Sequence, residues 1–182
     1  MLVVMGIDPG VAHTGFGIVR LAGSQMSAVD GGVVEPTDDK TPERRLASIH
    51  ASLAELISWH KPAAVAIEDV YFGKNVRSAM SVGQTRGAAM LAAGSEDIPC
   101  FDYTPQAVKM AVCGNGAAPK EQVQRMVGSL LGLSEPPSSD HTADALAVAI
   151  CHAAHAPPQR RGRFAHAPAA TATAPLPEAE AG

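Results

Sequence analysis

"LVVMGIDPGVAHTGFGIVRLAGSQMSAVDGGVVEP", residues 2–36, decides the architecture. The apolar run "LVVMGID" ends in a charge, Asp8, and a Pro-Gly turn follows. Two more apolar runs, "FGIVRLAG" and "QMSAVDGGVVEP", are separated by glycines. This pattern predicts three strands joined by hairpins. Thr41 and Pro42 then open a helix whose stripe is Leu46, Ile49, Leu53, Leu56 and Ile57. "KPAAVAIED" reads as a buried strand covered on both faces. Residues 79–93 are rich in small side chains and suit a helix, "IPCFDY" a strand, and Thr104-Pro105 another helix start. Pro119 begins a helix with the stripe Val123, Met126, Val127 and Leu130, stopped by Gly132. Two prolines and two serines then lead into a final alanine-rich helix, with Ser138, Ser139 or Asp140 as its N-cap. The order predicts an α/β fold: a mixed five-stranded sheet flanked by helices on both faces, the first three strands antiparallel and the later two parallel.

The 182 residues suit one domain, residues 1–155, followed by a Pro/Ala-rich tail, 156–182, whose composition predicts disorder. With 46% hydrophobic but only 4% aromatic residues, the core must rest on aliphatic side chains and alanine. Cys100, Cys113 and Cys151 are widely spaced in apolar surroundings, as reduced core thiols would be. No apolar run is long enough to span a membrane and no leader is evident, so the cytoplasm is the expected compartment. A net charge of -4 argues against a generic nucleic-acid binder. Residues 71–128 nevertheless hold Lys74, Arg77, Arg86, Lys109, Lys120 and Arg125 against Glu96, Asp97, Asp102 and Glu121, and are net positive.

Asp8 and Glu68 each close a predicted strand. Asp-Pro-Gly is also a common turn, in which the aspartate serves only its own loop, and Glu68-Asp69 also fits a strand emerging into water. If the first and fourth strands are neighbours, however, the two acids converge at a sheet end, where ligands gather in such folds. At about 100° per residue, Asp140, His141 and Asp144 project from the last helix at roughly 0°, 100° and 40°. Asp144 therefore shares a side of the helix with each of the others. Several acids at one point repel unless cations hold them. Carboxylate oxygens suit Mg²⁺ or Mn²⁺, and an imidazole tilts the preference toward Mn²⁺. Two such ions would activate water and stabilise the leaving oxygen of a phosphodiester, as in a nuclease.

The blocks "GIDPGVAHTGFG", "AIEDVYFGKN", "SVGQTRGAA", "QVQRMV" and "HTADALAVAICH" occur in this order. In them the chain resembles the RuvC family of Holliday-junction resolvases over about residues 2–155. The resemblance implies a ribonuclease H-like fold and a homodimer that cuts four-way DNA junctions symmetrically, leaving 5′-phosphate and 3′-hydroxyl ends. It implies that Asp8, Glu68, His141 and Asp144 are catalytic and bind two Mg²⁺ or Mn²⁺ ions. Asp140, one residue earlier, satisfies helical spacing equally well; the family register favours His141. Tyr71 matches an aromatic position that stacks on an unpaired base, with Phe72 as its rival; such stacking is typically worth about 1–3 kcal/mol. Lys109 and Lys120 match lysines at the phosphate, Lys120 with a catalytic role, and Lys74, Arg77 and Arg86 complete the DNA set. Helix residues 77–93 are a candidate dimer face, and a branch-migration helicase is an implied partner.

Two other classes compete. One is a junction-binding scaffold without catalysis. The other is an actin-like ATP-binding domain, because "GIDPGVAHTG" also looks like a phosphate loop.

Overall fold

The computed structural model describes residues 1–36, 41–69 and 76–155. Strands β1 (Leu2–Asp8), β2 (Thr14–Ala22) and β3 (Gln25–Val34) form the expected antiparallel meander. Its second turn relies on Gly23, whose φ of 62° lies in the left-handed region that glycine tolerates. Helix α1 (Pro42–His60) leads to β4 (Ala64–Glu68), which pairs parallel with β1. Helix α2 (Val76–Gly94) leads to β5 (Cys100–Tyr103), parallel with β4. Helices α3 (Pro105–Cys113), α4 (Lys120–Leu131) and α5 (Asp140–His155) complete the described chain. The strand order is β3-β2-β1-β4-β5.

Alternation along each strand divides the core into two layers. Met5, Ile7, Val65 and Ile67 pack with Ile49, Leu53 and Ile57 of α1 and Ala89, Ala92 and Ala93 of α2. Leu2, Val4, Val19, Leu21 and Ala66 face α3, α4 and α5 on the other side. Helices thus cover both faces, as the order of elements predicts. Asp8 has the parity of Leu2 and Val4, and Glu68 that of Ala66. Both acids therefore belong to the face on which α5 lies.

Helix α5 sits unusually close to the sheet, and glycine is the reason. Gly6, Gly17 and Gly31 are cross-strand partners on β1, β2 and β3. A Cβ added at Gly6 would lie 1.9 Å from the Ala145 carbonyl oxygen, and one at Gly17 would lie 2.7 Å from the Leu146 side chain. At Gly31 it would meet Thr142 at 3.1 Å, and at Gly15 it would lie 2.1 Å from the His141 carbonyl oxygen. The bare backbone forms a trough for α5, whose residues 145–151 are all buried. At its far end α5 is tied to β5 by a 2.8 Å hydrogen bond between the Tyr103 hydroxyl and His152 Nδ1.

Three details differ from the sequence reading. Helix α2 begins at Val76 rather than near residue 79. On α4 the buried stripe is Val123, Val127, Gly128 and Leu131, while Leu130 is exposed, because the helix presents i, i+4 and i+8 to its neighbours. The three thiols are free, but only Cys151 is buried; Cys100 and Cys113 are half-buried.

Gly6→Ala puts a methyl group into the backbone of α5, where no rotamer change relieves it. The substitution is expected to cost about 3 kcal/mol or more, read as a lowered denaturation midpoint. A variant that melts like the wild type would mean that the trough does not set the helix height.

Candidate active site

Parallel pairing of Ile7 with Ile67 puts Asp8 and Glu68 at adjacent strand ends, one residue beyond the last registered pair. The turn after Asp8 is closed by Thr14, whose buried hydroxyl donates to the Gly10 carbonyl at 2.7 Å. The Asp8 side chain is instead directed across to α5, where His141 Nδ1 donates to Asp8 Oδ2 at 2.7 Å. The sequence reading in which Asp8 serves only its own turn does not describe this geometry.

Helix α5 begins with the Ala143 amide donating to the Ser139 carbonyl, so Asp140 is its first helical residue. One helical step then separates two directions. His141 turns toward Asp8, while Asp140 and Asp144, four residues apart, both face α4. Lys120 at the start of α4 donates to Asp140 Oδ2 and to Asp144 Oδ2, each at 3.1 Å. Glu68, Asp144, Lys109, Lys120, Pro105, Val108, Val123 and Ala147 line a pocket of about 160 Å³. Ligand-sized pockets are typically roughly 300–1,000 Å³, so this one suits ions, water and a phosphate better than an enclosed nucleotide.

The charges inside it are in conflict. Burial, reinforced by the carboxylates of Asp8 and Asp144, pushes Glu68 up to about 7 even though Lys120 and Lys109 pull it back. Burial also raises Asp144, against the hydrogen bond from Lys120. Burial works to lower Lys120, but its hydrogen bonds to Asp140 and Asp144 prevail and hold the ammonium above the usual lysine range. Protons and an organic cation thus do part of what a divalent cation would do fully.

Hard oxygen donors from Asp8, Glu68 and Asp144, with one imidazole, fit Mg²⁺ or Mn²⁺. Among the described residues, no three such side chains are already closed into a metal-ligand group. Asp8 is turned to His141 and Asp144 to Lys120.

The remaining sequence candidates are less concentrated. Arg86 lies on α2, where its guanidinium meets Asp102 at 2.6 Å and Asp69 at 3.5 Å. Tyr71, Phe72 and Lys74 lie outside the described residues, as does the Arg77 side chain. Sequence reasoning missed His13 and Gln124. The His13 ring centroid is 5.8 Å from that of His141, and its Nδ1 is 3.3 Å from Glu35. Gln124 donates to Asp140 Oδ1 at 2.5 Å. His13 stands within the first motif, so its type and place were the available signal; Gln124 had none beyond its four-residue spacing from Lys120.

A meander continued by two parallel strands, with acids at the ends of its central parallel pair and another on a helix crossing the sheet, defines a ribonuclease H-like nuclease. Residues 4–152 match the family model described as "Crossover junction endodeoxyribonuclease RuvC". The chain belongs to that family, which is metal-dependent. The RuvC of Pelotomaculum thermopropionicum is 46% identical over 137 residues, covering 75% of this chain and 84% of the relative. That of Moorella thermoacetica is 48% identical over 136 residues, 75% and 81% of the two chains. The structure of Thermus thermophilus RuvC in complex with Holliday junction substrate superposes with a TM-score of 0.80 at 40% identity, over 84% of this chain and 93% of that one.

The raised Glu68 gives a signed pH dependence. Between about 4.5 and 7 the folded protein holds a proton that the unfolded chain has lost, so stability falls as pH rises through that window. In chelator, Glu68→Gln is therefore expected to raise the melting temperature at pH 8, on the order of 5 °C. Near pH 5 it should leave it almost unchanged. An equal difference at both pH values would contradict the assignment.

Proposed function

We propose that this chain is a structure-selective endonuclease that resolves four-way DNA junctions by metal-dependent hydrolysis, giving 5′-phosphate and 3′-hydroxyl ends. The observation that carries the reading is the convergence of Asp8, Glu68 and Asp144 at the strand ends of a chain of the RuvC family. The junction in the Thermus thermophilus complex supports the same substrate here. The nuclease unit is residues 1–155.

Asp8, Glu68, Asp144 and His141 would hold two Mg²⁺ or Mn²⁺ ions. When bound, such ions supply an activated water and charge neutralisation at the leaving oxygen. The chain's own residues do the rest. Glu68 must give up its proton before it can serve as a ligand, and His141 orients the Asp8 carboxylate. Lys120 and Lys109 add positive charge at the pocket wall, where a phosphate would sit. Tyr71 or Phe72 would stack on an unpaired base, with Lys74 and Arg77 beside it. Arg86 reaches a phosphate only by giving up Asp102.

Helix α2 supports the homodimer. Its exposed side carries Met80, Met90 and Leu91, and Cβ atoms added at Gly83 and Gly87 would meet open space. A second copy of such a surface would cover apolar area at close approach. A branch-migration helicase is the partner expected from the family resemblance, and the cytoplasm the expected compartment. Among the described residues, no helix is long and apolar enough to cross a membrane.

Cleavage of a labelled synthetic junction, with Mg²⁺ and Mn²⁺ compared, tests the reading. Wild type should cut, and Asp8→Asn should lose on the order of 10³-fold in rate while still binding. His141→Ala should lose more than Asp140→Ala; the reverse order would exchange their roles. Binding without cutting by the wild type would make the protein a scaffold. Junction affinity should fall roughly 10- to 100-fold between about 50 and 200 mM salt for a few phosphate contacts. A flat response would remove Lys109 and Lys120 from the phosphate set.

A further inference from the structure

We infer that Asp140, braced by Gln124, is the positioning residue that keeps Lys120 at the reaction centre when Asp144 turns to a divalent cation. The inference rests on the proposed nuclease function, within which it assigns a role to a carboxylate beside the metal set. Lys120 and Gln124 are four residues apart on α4, and Asp140 and Asp144 four apart on α5, so each pair occupies one side of its helix. The result is a closed set of contacts. Gln124 Nε2 donates to Asp140 Oδ1 at 2.5 Å, and Lys120 Nζ donates to Asp140 Oδ2 and Asp144 Oδ2 at 3.1 Å each.

The two acceptors of Lys120 differ. Asp144 lines the pocket with Glu68, and its charge is felt there; Asp140 is absent from the pocket wall. Both Asp140 oxygens are engaged, one by each α4 side chain, which fixes the plane of the carboxylate. A cation at Asp144 would compete with Lys120 for the same carboxylate. Lysine is a point charge on a flexible stem, and restraining it costs side-chain entropy. With Asp144 as its only anchor, Lys120 would be released as the site loads. With Asp140 held from outside, it keeps its place. The Lys120 and Asp140 side chains are 47% and 57% exposed, and exposed ion pairs contribute little to stability, so a positioning role accounts for the arrangement better than a structural one.

Single-turnover cleavage by Asp140→Asn, Lys120→Met and the double variant tests this. Asp140→Asn should lower kcat roughly 10-fold with little change in KM, and Asp140→Glu should restore part of it. In the Lys120→Met background, the same Asp140 substitution should change kcat by less than about 2-fold, because its effect passes through Lys120. The Mg²⁺ midpoint measured in that background should not move. A rise of about 10-fold or more would make Asp140 a participant in metal binding and overturn the inference. An equal loss in both backgrounds would also overturn it, since it would report damage to α5 alone. A readout independent of cutting is the Lys120 ammonium ¹H–¹⁵N signal at saturating Mg²⁺, expected in the wild type and lost in Asp140→Asn. Persistence in Asp140→Asn would reject the role. Failure of the wild type to cut any junction would overturn the proposed function and leave this signal to decide the Asp140 assignment.

Discussion

Three half-buried carboxylates close enough to feel one another's charge are the constraint on which the site depends. Asp8, Glu68 and Asp144 come from a central strand, its parallel neighbour and a helix that packs across both. Burial, reinforced by the repulsion of Asp8 and Asp144, explains why Glu68 holds its proton up to about 7, and Lys120 and His141 stand beside the other two acids. A fold optimised for stability alone would not gather like charges in poor solvent. The cost is offset in part by the hydrogen-bonded partners Lys120 and His141.

The scaffold that enforces this encounter is a trough of missing side chains. Gly6, Gly17 and Gly31 let the α5 backbone reach van der Waals contact with the sheet, and Gly15 does the same beneath His141. Height decides chemistry here. A helix resting on ordinary side chains would stand a few ångströms further out, and His141 Nδ1 would no longer lie 2.7 Å from Asp8. The buried alanines and small residues of α5 serve the same close approach.

The acidic site also reconciles the overall charge with a DNA substrate. Glu68 and Asp144 concentrate negative charge in the pocket, and Lys109 and Lys120 line the same pocket beside them. The net charge of -4 therefore describes the whole chain and not its local distribution. Arg86 illustrates the limit of counting charges, since Asp102 and Asp69 already neutralise it locally.

Sequence alone determined the strand meander, both parallel strands, the α1 stripe and the acids at the strand ends, because these follow from alternation, helical period and turn chemistry over short spans. Five motif blocks also carried the family. What only the tertiary structure decided lies between elements distant in sequence. Helical spacing left the directions of His141 and Asp140 open; in the fold His141 faces Asp8, 133 positions away, and Asp140 faces α4. The roles of Gly6 and Gln124 were equally hidden, for a glycine's empty space and a glutamine's partner exist only once α4, α5 and the sheet are packed together.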